Sequence, residues 1–264
     1  MAGTLNGVSV RINQSGFRGP DILPKKPGVV RIVVFGDSIA FGQGVSEDLT
    51  LSAQLQKKLR ARYPAREWEA INAGVRGYNM TDYVIIFGSR ILPLGPDLLV
   101  LALTEINDPE QGHFSPRSAK LERWGNAWWS GLPFIKPLLA YPAAEEINRL
   151  FIAHVHEIYD PGRAEWPAFV ERMRGIAQAS KQAHVPLMVV TFPYLDDTDV
   201  FAEQRALLHR MLTDLGVPWV DPRPALSSRP ASELVVSRND FHPNALALGI
   251  TADLLVAPVA ELVK

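Results

Sequence analysis

The chain of 264 residues carries 27 lysines and arginines against 28 aspartates and glutamates, a formal net charge of −1, so no global field draws it to nucleic acid or to an anionic membrane surface. Hydrophobic residues make up 47% and charged residues 21%, the balance of a globular protein with a sizeable core. With no cysteine, disulfides, thiolate metal sites and cysteine nucleophiles are excluded.

The opening stretch "MAGTLNGVSVRINQSGFRGP" has no apolar core of signal-peptide length, and no stretch approaches the roughly 20 apolar residues of a spanning helix. Residues 1–29 read as an N-terminal extension to one domain that fills the chain. Residues 30–35 form an apolar, β-branched run ended by Gly36, the pattern of a strand buried on both faces. Leu51, Leu55, Leu59 and Tyr63 then recur every four residues before Pro64, which predicts an amphipathic helix with a hard stop.

The unit repeats in kind. Residues 68–73 predict a second strand closed by "GVRGYN", residues 83–92 a second helix, and "PDLLVLALT" a third strand ending near Thr104. Residues 108–163 exceed a normal connection and predict a cap insertion with short helices of its own. A helix carrying Phe169, Met173 and Ile176 precedes a fourth strand at 185–193. A helical pattern through Leu207, Leu208, Met211 and Leu215, the short "VPWVDP" and a terminal helix from Asn244 complete the chain. Alternating strands and helices imply a mostly parallel sheet covered on both faces.

In such a sheet functional groups gather beyond the carboxyl ends of the strands. Gly36-Asp37-Ser38 follows the first strand, Gly74 to Gly77 the second and Asn107-Asp108 the third. A hydroxyl needs a base to remove its proton, and an acyl-transfer intermediate needs donors for its oxyanion. Ser38 can supply the attacking oxygen and one backbone N–H, Gly77 a second N–H, and the Asn107 side chain a third donor. The base is sought in "SRNDFHPNALALG". There His242 is expected at a loop-to-helix junction with proline at the first helical position, and Asp240 or Asn239 is close enough to orient the ring. An acid would also stabilise the imidazolium, which favours Asp240.

The four blocks "FGDS", "INAGVRGYN", "EIND" and "DFHPN", in this order, resemble the SGNH hydrolases, also called the GDSL esterase/lipase family. The resemblance implies a flavodoxin-like three-layer α/β/α sandwich. It also implies a serine esterase that acts through an acyl-enzyme, with Ser38 as nucleophile, His242 as base, Asp240 as orienting acid, and Ser38, Gly77 and Asn107 forming the oxyanion hole. No metal or organic cofactor is needed for that chemistry. A short acyl ester or an O-acetylated carbohydrate is the implied substrate. The rival readings are an O-acyltransferase using the same triad and a binding protein that keeps the fold without turnover. Two positions depart from the family pattern: Glu105 stands where glycine is usual, and Asn239 stands three residues before the histidine. "RINQSGFRGP" is also similar to bacterial members in which such a stretch follows a membrane anchor, which implies a portion of a longer product.

Other features have plainer readings. Asp37 and Asp108 read as hydrogen-bonding braces of their loops. Gly42-Gln43-Gly44 completes neither the G-x-G-x-x-G nor the P-loop fingerprint and is set aside. His154 and His156 diverge on a helical pattern and do not read as metal ligands. Trp124, Trp128 and Trp129 suit one face of a helix in the cap, where they either pack on the sheet or form an apolar wall for substrate.

Overall fold

Two short antiparallel strands, β1 (Ala2–Leu5) and β2 (Val8–Arg11), open the chain in the computed structural model, which describes residues 2–5, 7–109, 136–238 and 240–263. The central sheet follows as β3 (Val29–Gly36), β4 (Glu67–Gly74), β5 (Leu98–Thr104), β6 (Leu187–Phe192) and β7 (Trp219–Val220). All its pairs are parallel, in the order β4-β3-β5-β6-β7. Numbered within the sheet this is 2-1-3-4-5, the flavodoxin-like order, and the reversal between β3 and β5 leaves a crevice at their carboxyl ends.

Period-two alternation along each strand divides the core into two layers. On one face Val33, Phe35, Leu99, Leu101 and Val189 pack with residues of four helices, Met80–Ile86, Lys136–Ile158, Glu165–Gln182 and Ala202–Asp214. On the other, Ile32, Val34, Val100, Met188 and Val190 pack with Leu51, Leu55 and Leu59 of the Leu51–Arg62 helix and with the terminal helix, Ala245–Leu262. Arg31 interrupts the apolar run of β3 at little cost, because its buried guanidinium binds Glu69 Oε2 at 2.6 Å and the carbonyls of Leu94 and Leu23 at 2.7 Å.

The structure differs from the sequence reading in three places. Where short cap helices were expected, residues 136–158 form one 23-residue helix whose Phe151, Val155 and Ile158 join the main core, so this half of the insertion is part of the sandwich. The terminal helix starts after Pro243 rather than on it, because the Asn244 side chain accepts from the N–H groups of Leu246 and Ala247 and caps it. That helix is also, among the described residues, long and apolar enough by composition to cross a membrane. Its packing accounts for that composition, since Leu248, Ala252, Leu255 and Val259 are fully buried against the sheet. Within the N-terminal extension, Phe17 is 1% exposed in the core, under the guanidinium of Arg90 at 4.7 Å from its ring.

Gly36 pairs with Gly74 on one side and Ala102 on the other. This row of small residues lets the chain after β3 lie directly on the sheet. A Cβ at Gly74 would stand 2.1 Å from the Phe41 nitrogen. Gly74→Ala is therefore expected to destabilise the fold by roughly 1–3 kcal/mol through overpacking, read from the urea unfolding midpoint.

Candidate active site

The turn after β3 is built to expose one hydroxyl. Gly36 holds φ +149 with no room for a side chain, since its Cβ would stand 2.4 Å from the Ala102 oxygen. Asp37 then caps the short helix Ser38–Phe41 through Oδ1, which accepts from Ile39 N–H at 2.8 Å. Its other oxygen accepts from Thr104 Oγ1 at 3.0 Å and from Asn107 Nδ2 at 3.1 Å. Asp37 thus ties the β3 turn to the β5 turn from a position 2% exposed. Burial pushes its carboxyl above the usual range, opposed by these three hydrogen bonds. Asp108, fully buried beside it, accepts from Tyr83 Oη at 2.8 Å and Thr104 N–H at 2.6 Å.

His242 arrives from the other end of the chain on a hairpin of β8 (Val235–Ser237) and β9 (Asp240–Pro243), not at a helix start. Its Nε2 lies 2.8 Å from Ser38 Oγ, and its Nδ1 lies 2.5 Å from Asp240 Oδ1. An ionised carboxylate only accepts, so Nδ1 carries the proton toward Asp240 and Nε2 is left to accept from the serine hydroxyl. Burial alone would raise the Asp240 carboxyl, but hydrogen bonds from the His242 ring and backbone and from Gln43 outweigh it and hold the group below the usual range. Asp240 is thus ionised where the base must work. The structure brings Ser38, His242 and Asp240 together; Asn239 lies outside the described residues.

Asn107 also faces the cleft. An amide nitrogen carries two N–H groups, so the bond to Asp37 uses one of them and leaves a second available to a ligand. Asn107→Ala is expected to lower kcat about 100-fold, the usual cost of one oxyanion donor, in a steady-state ester assay. Gly77 is placed differently. It occupies an exposed left-handed turn at φ +79 in the loop after β4, and it does not line the cleft beside Ser38.

The cleft holds about 390 Å³, with Ile106, Tyr194, Leu195 and Phe241 as its apolar wall. Glu105 supports that wall. Its Oε1 accepts from Tyr194 N–H at 2.5 Å, and Oε2 stands 3.5 Å from Arg205 Nη1. Arg205 is itself clasped by both oxygens of Asp199 at 2.8 and 2.6 Å. Glu105 does not take a positive φ, so this position does not require the conformational freedom of glycine. Burial raises its carboxyl to about 7, against the hydrogen bond from Tyr194 and the charge of Arg205. A carboxyl raised in the folded state adds stability below its unfolded pKa, and that stability is lost as pH rises through the folded value. Parent stability is expected to fall by about 3 kcal/mol more than that of Glu105→Gln between pH 4.5 and 7, in paired urea unfolding series.

Trp124, Trp128 and Trp129 lie outside the described residues. Among the described residues no group of three or more His, Asp or Glu is placed to hold a metal ion. Two contributors escaped the sequence reading: Arg18, which binds the turn after Ser38, and Gln43, which touches the acid. The second had a visible signal, a polar residue between two glycines just past the serine.

The model of the GDSL-like Lipase/Acylhydrolase family matches residues 34–247. No curated protein matches the chain. Among solved structures, a variant of an acetyl xylan esterase from Geobacillus stearothermophilus is 16% identical, with a TM-score of 0.56 over 89% of this chain and 94% of that one. An α/β hydrolase enzyme, LAE5, from the metagenome of Lake Arreo in Spain is 16% identical, with a TM-score of 0.57 over 88% of this chain and 96% of that one. A two-domain esterase active on acetylated mannans is 13% identical, with a TM-score of 0.55 over 89% of this chain and 50% of that one. At these identities the neighbours establish a shared fold. The family match spans the turns after β3, β4 and β5 and the His242 hairpin, and the chain accordingly belongs to the GDSL-like lipase/acylhydrolase family, the SGNH serine hydrolases that act on ester bonds.

Proposed function

We propose that the protein removes a short acyl group, acetate foremost, from a carbohydrate ester through a covalent acyl-enzyme on Ser38. The observation that carries this reading is the continuous relay from Ser38 Oγ through His242 to Asp240, at 2.8 and 2.5 Å. Ser38 Oγ attacks the ester carbonyl while its proton passes to His242 Nε2. The Ser38 N–H at the helix start and the Asn107 amide donate to the oxyanion. Collapse of the tetrahedral intermediate transfers the proton from Nε2 to the departing alcohol and leaves the acyl group on Ser38. Water, deprotonated by the same nitrogen, then releases the acid and restores the serine.

Acetylated sugars are favoured because two structural neighbours are described as esterases of acetylated xylan and acetylated mannans. An assembled relay with an ionised acid counts against a binding protein without turnover. The test compares p-nitrophenyl acetate, p-nitrophenyl octanoate and acetylated xylooligosaccharide with the purified protein. We expect acetate release from the sugar and faster turnover of the acetate than of the octanoate. Faster octanoate turnover would overturn the short-acyl assignment. Product formation only when a sugar acceptor is added would make the protein an acyltransferase.

A further inference from the structure

The Gly42-Gln43-Gly44 turn, whose Gln43 touches the acid, is closely packed against its neighbours. Gly42 and Gly44 hold φ +79 and +76, and a Cβ on either would come within 2.6 Å of Thr50 or Val236. Val236 belongs to β8, so Gly44 is seated on the hairpin that carries His242. Gln43 N–H donates to the carbonyl of Ser38 itself at 3.0 Å. Below the loop, Arg18 donates to the carbonyls of Phe41, Gly42 and Val45 at 3.0, 2.5 and 2.6 Å.

The loop aims one amide. Gln43 Nε2 lies 3.3 Å from Asp240 Oδ2 and 3.2 Å from His242 Nδ1, while its Oε1 accepts from Arg76 Nε at 2.7 Å. Arg76 only donates, so it fixes which end of the amide is oxygen. The nitrogen must then face Asp240. With Nδ1 protonated, Gln43 and His242 are both donors, and they share the carboxylate.

We propose that Gln43 is a positioning residue for the acid–base pair. Held by Arg76, it secures the Asp240 oxygen that His242 does not use and so keeps the carboxylate turned toward the ring. This rests on the esterase reading for its kinetic consequence but not for its geometry. Among the described residues, the charged groups facing His242 are Asp240 on its own strand, buried Asp37 on the serine turn, and Arg76 through Gln43.

The test uses Gln43→Ala, Gln43→Glu and Arg76→Leu in the full chain, with far-UV and near-UV circular dichroism confirming the fold. Gln43→Ala is expected to lower kcat on p-nitrophenyl acetate about tenfold with KM within about twofold, the usual scale for a positioning hydrogen bond to a charged group. Arg76→Leu leaves the amide free to turn and is expected to lower kcat in the same sense. Gln43→Glu adds a carboxylate beside the ring and is expected to move the titration of the His242 imidazole, followed by its ring-proton resonances, to higher pH. Parent-like kcat in Gln43→Ala, or a rise in KM at constant kcat, overturns the proposal. The resonance titration needs no turnover. A parent that hydrolyses no ester while Gln43→Glu still shifts the ring would overturn the esterase reading and leave the positioning role standing. A parent that hydrolyses esters with an unmoved titration would do the reverse.

Discussion

Replacing Ser38 by alanine is expected to lower kcat for p-nitrophenyl acetate by about 10⁴-fold or more while leaving the fold intact. The two halves of that expectation come from different atoms. Turnover depends on Oγ, the atom 2.8 Å from His242 Nε2. Stability depends on neighbours: the short helix is capped by Asp37, and Ile39, Ala40 and Phe41 carry its buried contacts. Alanine is a good helix former, so the melting temperature is expected to stay within about 2 °C of the parent. His242→Ala should cost a similar factor, and the double variant should be little worse than either, because serine and histidine act in one proton transfer. A Ser38→Ala protein that kept more than about a tenth of parent turnover would remove Ser38 from the mechanism.

Arg18→Met is expected to be the most destabilising of the substitutions considered. Arg18 is 3% exposed, and its guanidinium binds three backbone carbonyls and lies over the Phe41 ring at 5.1 Å. Burial lowers its pKa, with the charge of Glu47 opposing, and the other donors to these carbonyls are longer: Asn72 Nδ2 to Phe41 O and Val45 N–H to Gly42 O, both at 3.3 Å. Methionine fills much of the volume and leaves three acceptors without their charged donor. A loss of roughly 3–5 kcal/mol follows, which lowers the melting temperature by on the order of 10 °C for a chain of this size. Arg18→Lys keeps the charge but lacks the planar fork that spans three carbonyls, so it should recover only part of the loss. The same variants should lose turnover, since the bound carbonyls of Phe41, Gly42 and Val45 belong to the turn that follows Ser38 and carries Gln43. Equal melting temperatures for parent and Arg18→Met would refute this account.

Much of this architecture was legible because each central strand and covering helix has its own hydrophobic period. Residues 30–35 announce a strand covered on both faces, and Leu51, Leu55 and Leu59 mark the helix that covers one of them. The turns that carry the candidate site were legible for a related reason: in a parallel sheet, whatever follows a strand lies at one edge. The helix at 136–158 was not, because Pro137 and Pro142 read as breakers and the stretch follows an unusually long connection. The place of His242 on a hairpin was hidden by Pro243-Asn244, where proline and asparagine compete as helix starters and the asparagine wins by capping. The roles of Arg18 and Gln43 were missed for a different reason. Their partners, Phe41 O and Asp240 among them, are reached only through tertiary packing, and no local spacing encodes a bond between residues 43 and 240.

The glycine row beneath the serine turn bears on how such an enzyme acquires a new substrate. Gly36, Gly74 and Ala102 leave no slack between the sheet and the short helix, and Gly44 is wedged on Val236. One flank of the cleft is therefore frozen: added bulk there displaces Ser38 before it reshapes the pocket. The opposite flank, formed by Ile106, Tyr194 and Phe241, stands on loops and a hairpin, with Phe241 44% exposed. Retargeting to larger acyl or sugar groups should thus succeed through libraries at 106, 194, 195 and 241, with 36–45 and 74 held constant.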